Sequence, residues 1–202
     1  SGLVGSEMCI RDRYFIFQPG EEGFAGGEKM IQDGMFDDFK IDEVYALHNW
    51  PELPLGTFGV NSGPMMAAVD EFDITVKGKG GHAASPHLAI DPVVISAQVI
   101  SAVQTIISRS TDPVDKALIS ITKINAGTAY NVIDDQVKMG GTIRTFRRET
   151  RAYIEKRLNE LCKGIADAHG AEIKIEFDLV NKYPPTILSL IHISEPTRPE
   201  RI

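Results

Sequence analysis

Cysteine is scarce in this chain. Only Cys9 and Cys162 occur, too few to frame a fold with disulfides, so a reducing compartment, by default the cytoplasm, is the expectation. No run of basic residues occurs and the formal net charge is −7, which argues against nucleic acid or an anionic membrane surface as partner. No apolar stretch reads as long enough to span a bilayer. The Gly-rich stretch 78–81 lacks the following Lys and hydroxyl residue that grip phosphate and magnesium, which excludes a phosphate loop. What remains is ordinary globular composition, 43% apolar and 24% charged, with room for a sizeable core in one or two domains.

The stretch 14–23, Tyr-Phe-Ile-Phe-Gln-Pro-Gly-Glu-Glu-Gly, organises the rest. An aromatic and β-branched run bounded by Pro and Gly reads as a buried strand, and ligands of open α/β sheets collect beyond the carboxyl ends of such strands. Glu21 and Glu22 stand at that end. Neighbouring side chains leave an extended backbone in opposite directions, so one carboxylate can hold a metal while the other moves a proton. A solvated acidic turn would carry the same two letters.

Both termini look foreign. Residues 190–199, reverse-translated as CTT ATA CAC ATC TCC GAG CCC ACG AGA CC, have a complementary strand that encodes residues 2–11 in frame, and the segment resembles a transposase sequencing adapter. Residues 1–13 and 188–202 are therefore expected to be library artefacts, excluded from fold reasoning. His192 and Cys9 then carry no function.

Beyond Glu22 the pattern predicts a short helix with Met30, Ile31 and Met35 on one face, ended by Gly34. A second buried strand is expected over 41–47, ending on His48-Asn49-Trp50-Pro51. His48 alone reads equally as a hydrogen-bonded structural residue. In the order strand, helix, strand, a right-handed crossover would make the two strands parallel and bring Glu22 and His48 to the same sheet edge, where both could hold one ion.

The texture changes after Asn61, which places a domain boundary there. An alternating strand over 71–76 sets Phe72, Ile74 and Val76 on one face. A Gly-rich loop with His82 and His87 follows. Asp91-Pro92 opens a helix by N-cap and first-turn Pro, with Val93, Val94, Ala97, Ile100, Val103 and Ile107 as its expected packing stripe. Strands over 117–124 and 136–146 flank a turn-rich stretch. Arg144, in the second of them, suits either a structural ion pair or bidentate capture of a carboxylate. A helix over 151–169, striped by Ile154, Leu158, Leu161 and Ile165 and stopped by Gly170, precedes a strand over 172–179. From Glu71 onward the order is strand, helix, strand, strand, helix, strand, the ferredoxin-like pattern.

Five motifs then coincide in order: Gln18-Pro19-Gly20-Glu21-Glu22-Gly23, His48-Asn49-Trp50-Pro51, Gly78-Lys79-Gly80-Gly81-His82 with Pro86-His87, Gly127-Thr128-Ala129-Tyr130-Asn131-Val132-Ile133, and Gly141-Thr142-Ile143-Arg144-Thr145-Phe146. Together they resemble the aminoacylase, hippurate hydrolase and auxin-conjugate hydrolase branch of the di-metal amidohydrolases. The resemblance implies a zinc-peptidase-like α/β catalytic domain interrupted by an inserted ferredoxin-like (βαββαβ) satellite dimerisation domain. Residues 14–62 would be the partial catalytic domain, 63–180 the satellite and 181–187 the return. It implies Glu21 as the general base acting on metal-activated water and Glu22 and His48 as metal ligands. His82 would be the satellite histidine that stabilises the oxyanion in the neighbouring subunit's site. Asn131 and Arg144 would bind the substrate carboxylate, with Lys79 and His87 as supporting loop residues.

The implied reaction is hydrolysis of a small-molecule N-acyl amino acid, hippurate-like, to a carboxylic acid and a free amino acid. Two divalent ions per site, zinc, manganese, cobalt or nickel, would serve it, in a homodimer. The family's further ligands lie in segments this chain does not contain, so the chain alone is expected to supply an incomplete metal site and little or no hydrolysis. Asp134 stands where the family commonly has Pro, which would leave that turn less rigid. The alternatives are a related dipeptidase or deacylase, or a noncatalytic dimerisation or binding module.

Overall fold

The computed structural model describes residues 14–21, 26–178 and 183–188. Two compact units meet in sequence between Ala46 and Leu47.

The first unit holds α1 (Gly26–Gln32) and α2 (Met35–Asp38). Gly34, at φ 97°, separates them, so Met35 opens the second helix instead of completing the face of the first. The aromatic run before them corrects the expectation of a buried strand: 14–17 forms no strand, and Phe15 and Phe17 are 84% and 87% exposed. The same holds for 41–47, where Leu47 is 85% exposed. A strand is stable only when neighbouring strands satisfy its backbone groups and cover its faces. Among the described residues neither segment has a ladder partner, so β propensity alone leaves both extended and bare.

In the second unit β1 (Gly63–Met66) pairs antiparallel with β8 (Thr186–Leu188), Gly63 lying opposite Leu188. This ladder brings the two ends of the segment together. Between them run β2 (Ala68–Lys77), β3 (Gly81–His82), α3 (Pro92–Thr105), β4 (Ala117–Asn125), β5 (Val132–Ile133), β6 (Gln136–Thr145), α4 (Arg148–His169) and β7 (Glu172–Phe177). The main sheet has the order β4-β6-β2-β7, antiparallel throughout. Its first strand sits between its third and fourth, which is ferredoxin-like topology. The sequence order strand, helix, strand, strand, helix, strand is the one expected.

Alternation explains the core. Phe72, Ile74 and Val76 on β2 and Val137, Met139 and Ile143 on β6 all turn to the face that both helices cover. On α4, Thr150, Ile154, Leu158, Cys162 and Ala166 recur every fourth residue and are buried. Gly170, at φ 66°, ends that helix, its N–H donating to the Ala166 and Asp167 carbonyls. Asp70, 1% exposed on the same face of β2, is ion-paired with Arg151 in the first turns of α4.

Helix α3 is capped as its sequence foretells, Asp91 Oδ1 accepting the Val93 N–H at 2.8 Å and the Val94 N–H at 3.4 Å. Its buried face differs from the expected stripe. Pro92, Ile95, Ser96, Val99 and Val103 face the sheet, while Val93 and Val94 are exposed and Ile100 and Ile107 only partly covered. The helix carries apolar residues on two sides, Ile95, Val99 and Val103 turned inward and Val93, Val94 and Ala97 left exposed. For the same reason Pro92–Ser110 is long and apolar enough, by length and composition, to cross a membrane. This corrects the expectation that no such stretch exists, although the inner face of this segment is spent in the core.

Candidate active site

Glu21 sits on an exposed turn after Gly20, whose φ is 56°. The turn is clamped onto α1: a Cβ on Gly26 would fall 1.6 Å from the Pro19 carbonyl oxygen, so only glycine permits the approach. Glu22 lies outside the described residues.

His48 is exposed in the loop that opens the second unit, its ring tilted 56° against Trp50 with centroids 5.9 Å apart. Nδ1 lies 2.7 Å from the Asn49 carbonyl oxygen. That oxygen can only accept, so Nδ1 carries the proton, and in the neutral ring Nε2 keeps a lone pair. A metal-binding histidine is oriented by a bond of this kind, so the ring fits the role of a ligand. Among the described residues no cluster of three or more His, Cys, Asp or Glu could hold an ion.

His82 has the opposite polarity. The Ala84 N–H donates to its Nδ1 at 3.1 Å, which leaves the proton of the neutral ring on Nε2 as an outward donor. That is the form suited to a developing oxyanion. The loop that carries it is closed at its base by paired backbone bonds between Lys79 and Ile90, both 2.9 Å. Gly78 is needed there, since a Cβ would stand 2.0 Å from the Ile90 carbonyl oxygen. Lys79 thus contributes through its backbone, and His87 lies in a short helical turn, Pro86–Leu88, on the same loop.

The structure brings Asn131 to His82. Their segments form the short β3–β5 ladder, His82 opposite Val132, and the Ala83 N–H donates to the Asn131 carbonyl at 3.0 Å. Arg144 is placed elsewhere. The His82 and Asn131 loops leave the main sheet where Lys77 faces Gln136, whereas Arg144 pairs with Val69 near its other end. Eight residues of β6 separate these ends, about 27 Å at the usual strand rise. Arg144 lies between Val69 and Leu118, on the face away from the helices. Its Nη1 is buried with no hydrogen-bond partner among the described residues, and no ion pair engages it there. A buried guanidinium nitrogen without a partner is suited to an incoming carboxylate. The grouping of Asn131 with His82 and apart from Arg144 has no signature in the sequence, because it depends on strand register.

The turn at Asp134 corrects one further expectation. The Thr128 hydroxyl donates to Asp134 Oδ1 at 2.8 Å, so the side chain braces the turn that proline would have stiffened.

The family description of a peptidase dimerisation domain matches residues 69–169. The chain is 40% identical over 185 residues to the N-acetylcysteine deacetylase of Bacillus subtilis, covering 88% of this chain and 48% of that one. It is 44% identical over 165 residues to the N-acyl-L-amino acid amidohydrolase of Geobacillus stearothermophilus, covering 81% and 44%. A solved Bacillus subtilis structure, described as a dinuclear metal-binding peptidase from the M20 family, superposes with TM-score 0.62 at 37% identity, covering 85% of this chain and 41% of that one. The chain thus spans about half the length of the relatives it matches.

Proposed function

Because the chain belongs to the M20 peptidases, with their dimerisation domain across residues 69–169, we propose that the whole protein is a metal-dependent amidohydrolase. It cleaves N-acyl amino acids to a carboxylic acid and a free amino acid. The observation that carries this is the pair of oppositely set imidazoles: in their neutral forms His48 keeps a lone pair on Nε2 and His82 an N–H. A ligand and an oxyanion donor need those two forms.

In this reading Glu22 and His48 are ligands to divalent ions. Such ions, when bound, bring the acidity of water near neutrality. Glu21 takes the proton from the attacking water and returns it to the leaving amine. The Nε2–H of His82 donates to the tetrahedral oxyanion. Asn131 and Arg144 hold the substrate carboxylate.

Because about 27 Å of β6 separates Arg144 from the His82 loop, the two serve one site most simply from different subunits. In this arrangement Arg144 comes from one subunit, and His82 with Asn131 comes from the other. The exposed face of α3, with Val93, Val94 and Ala97, and the edge strand β4 form the surface proposed to pair with its copy.

The finer proposal is a hippurate-like, aromatic acyl group; the relatives' names favour acetyl. Turnover of acetyl, benzoyl and indoleacetyl amino acids by the whole protein with zinc or manganese decides between them. Substituting Glu21→Gln should abolish hydrolysis while sparing metal binding. Equal turnover in that variant, or no hydrolysis of any N-acyl amino acid by the unaltered protein, overturns the reading.

A further inference from the structure

The loop carrying Asn131 is a braced unit. The Thr128 hydroxyl donates to Asp134 Oδ1 at 2.8 Å, tying the loop's two ends together. Inside it the Val132 N–H donates to the Ala129 carbonyl at 3.3 Å, forming a turn with Tyr130 and Asn131 at its tip. This turn docks on the His82 segment. The Asn131 carbonyl accepts from Ala83, and Val132 and Ile133 face His82 and Gly81. The two loops are in close contact, since a Cβ on Gly80 would lie 3.0 Å from the Ile133 carbonyl oxygen. Ala84, next to the anchored Ala83, supplies the N–H that fixes the His82 ring at Nδ1. A continuous series of bonded neighbours therefore runs from Asp134 to the imidazole.

We propose that Asp134, acting through Thr128, is a positioning residue that holds the Asn131 turn against the His82 loop and thereby keeps His82 in its Nε2–H form. Asp134 touches no reacting atom. Its functional meaning rests on the donor role given to His82 above, but its test requires no turnover.

The test uses the full chain with 15N-labelled histidine. The His82 tautomer ratio is read from long-range proton–nitrogen correlations in alkaline solution, where imidazoles are neutral. The unaltered chain should show Nε2–H dominant. Thr128→Val and Asp134→Ala should each lower the Nε2–H to Nδ1–H ratio about fivefold, the equivalent of one net hydrogen bond of about 1 kcal/mol. Thr128→Ser and Asp134→Asn, which keep the donor and the acceptor, should restore it. His169, 3.0 Å from Gln98 in the helical layer, is the internal reference and should not move in any variant.

An unchanged His82 ratio in Thr128→Val and Asp134→Ala overturns the proposal, and so does a His169 signal that shifts alongside it. A whole protein that hydrolyses nothing while His82 stays locked would sink the hydrolase reading and leave the brace standing.

Discussion

Replacing Arg151 with methionine tests the packing of α4 on the sheet most severely. Asp70 is 1% exposed on β2, and the Arg151 side chain that pairs with it is 15% exposed. Arg151→Met keeps the apolar stem but withdraws the guanidinium from a carboxylate sealed beneath the helix. Removing one partner of a buried pair costs about 3–5 kcal/mol, because the interior carboxylate loses its guanidinium counter-charge. Asp70→Ala is the milder change. The guanidinium it leaves behind is closer to solvent and has Glu155 3.8 Å from its Nε, so a loss of about 1–2 kcal/mol is expected. The double variant should resemble Asp70→Ala, which makes the coupling between the two sites large. Urea unfolding of the whole chain, followed by the far-ultraviolet signal of α3 and α4, measures all three. At about 2–4 °C per kcal/mol for a unit of this size, Arg151→Met should melt about 6 °C or more below the unaltered protein. An Arg151→Met loss under about 1 kcal/mol, or a larger loss for Asp70→Ala, would refute the reasoning.

Burial pushes the Cys162 thiol up from 9.0 to about 12. It should therefore resist thiol reagents in the folded chain and react once urea is added; ready labelling of native protein would contradict its burial. Because the folded value is the higher one, the stabilisation is full below about pH 9 and is lost as pH rises toward 12, so Cys162→Ala should show a shallower alkaline decline than the unaltered chain. On the outer face of α3, Val93→Lys combined with Ala97→Glu should convert a dimer to a monomer in analytical ultracentrifugation. A dimer that persists in this variant would move the interface elsewhere. Leu158→Ala, in the middle of the buried stripe of α4, should cost about 2–5 kcal/mol in the same urea titration; a loss below about 1 kcal/mol would place that stripe outside the core.

The sequence revealed those parts of the satellite fold that rest on local physics. The Asp91-Pro92 cap, the Gly170 stop and the alternation of Phe72, Ile74 and Val76 are each decided within a few residues, and the structure has all three. Helix α3 has apolar residues on two sides, and composition cannot say which side meets the sheet. The aromatic run 14–17 and the apolar run 41–47 have strand-like residues without described partners, and pairing is a property of the neighbours. The Asp70–Arg151 pair and the Thr128–Asp134 brace were invisible because both follow from strand register and loop closure. Of the candidate site, residue types and order were legible, whereas the partition of Asn131 to His82 and away from Arg144 was not.

That partition supports the central claim, that two subunits complete one hydrolytic site. Its most direct test is to co-express the whole protein carrying Glu21→Gln with the whole protein carrying His82→Ala and assay the isolated mixed dimers on an N-acyl amino acid. Each variant alone should be inactive. The mixed dimer has one site with an intact Glu21 and an intact His82 from opposite subunits, so about half of the unaltered dimer's turnover should return. Mixed dimers as inactive as either parent, or full activity in His82→Ala alone, would contradict the account.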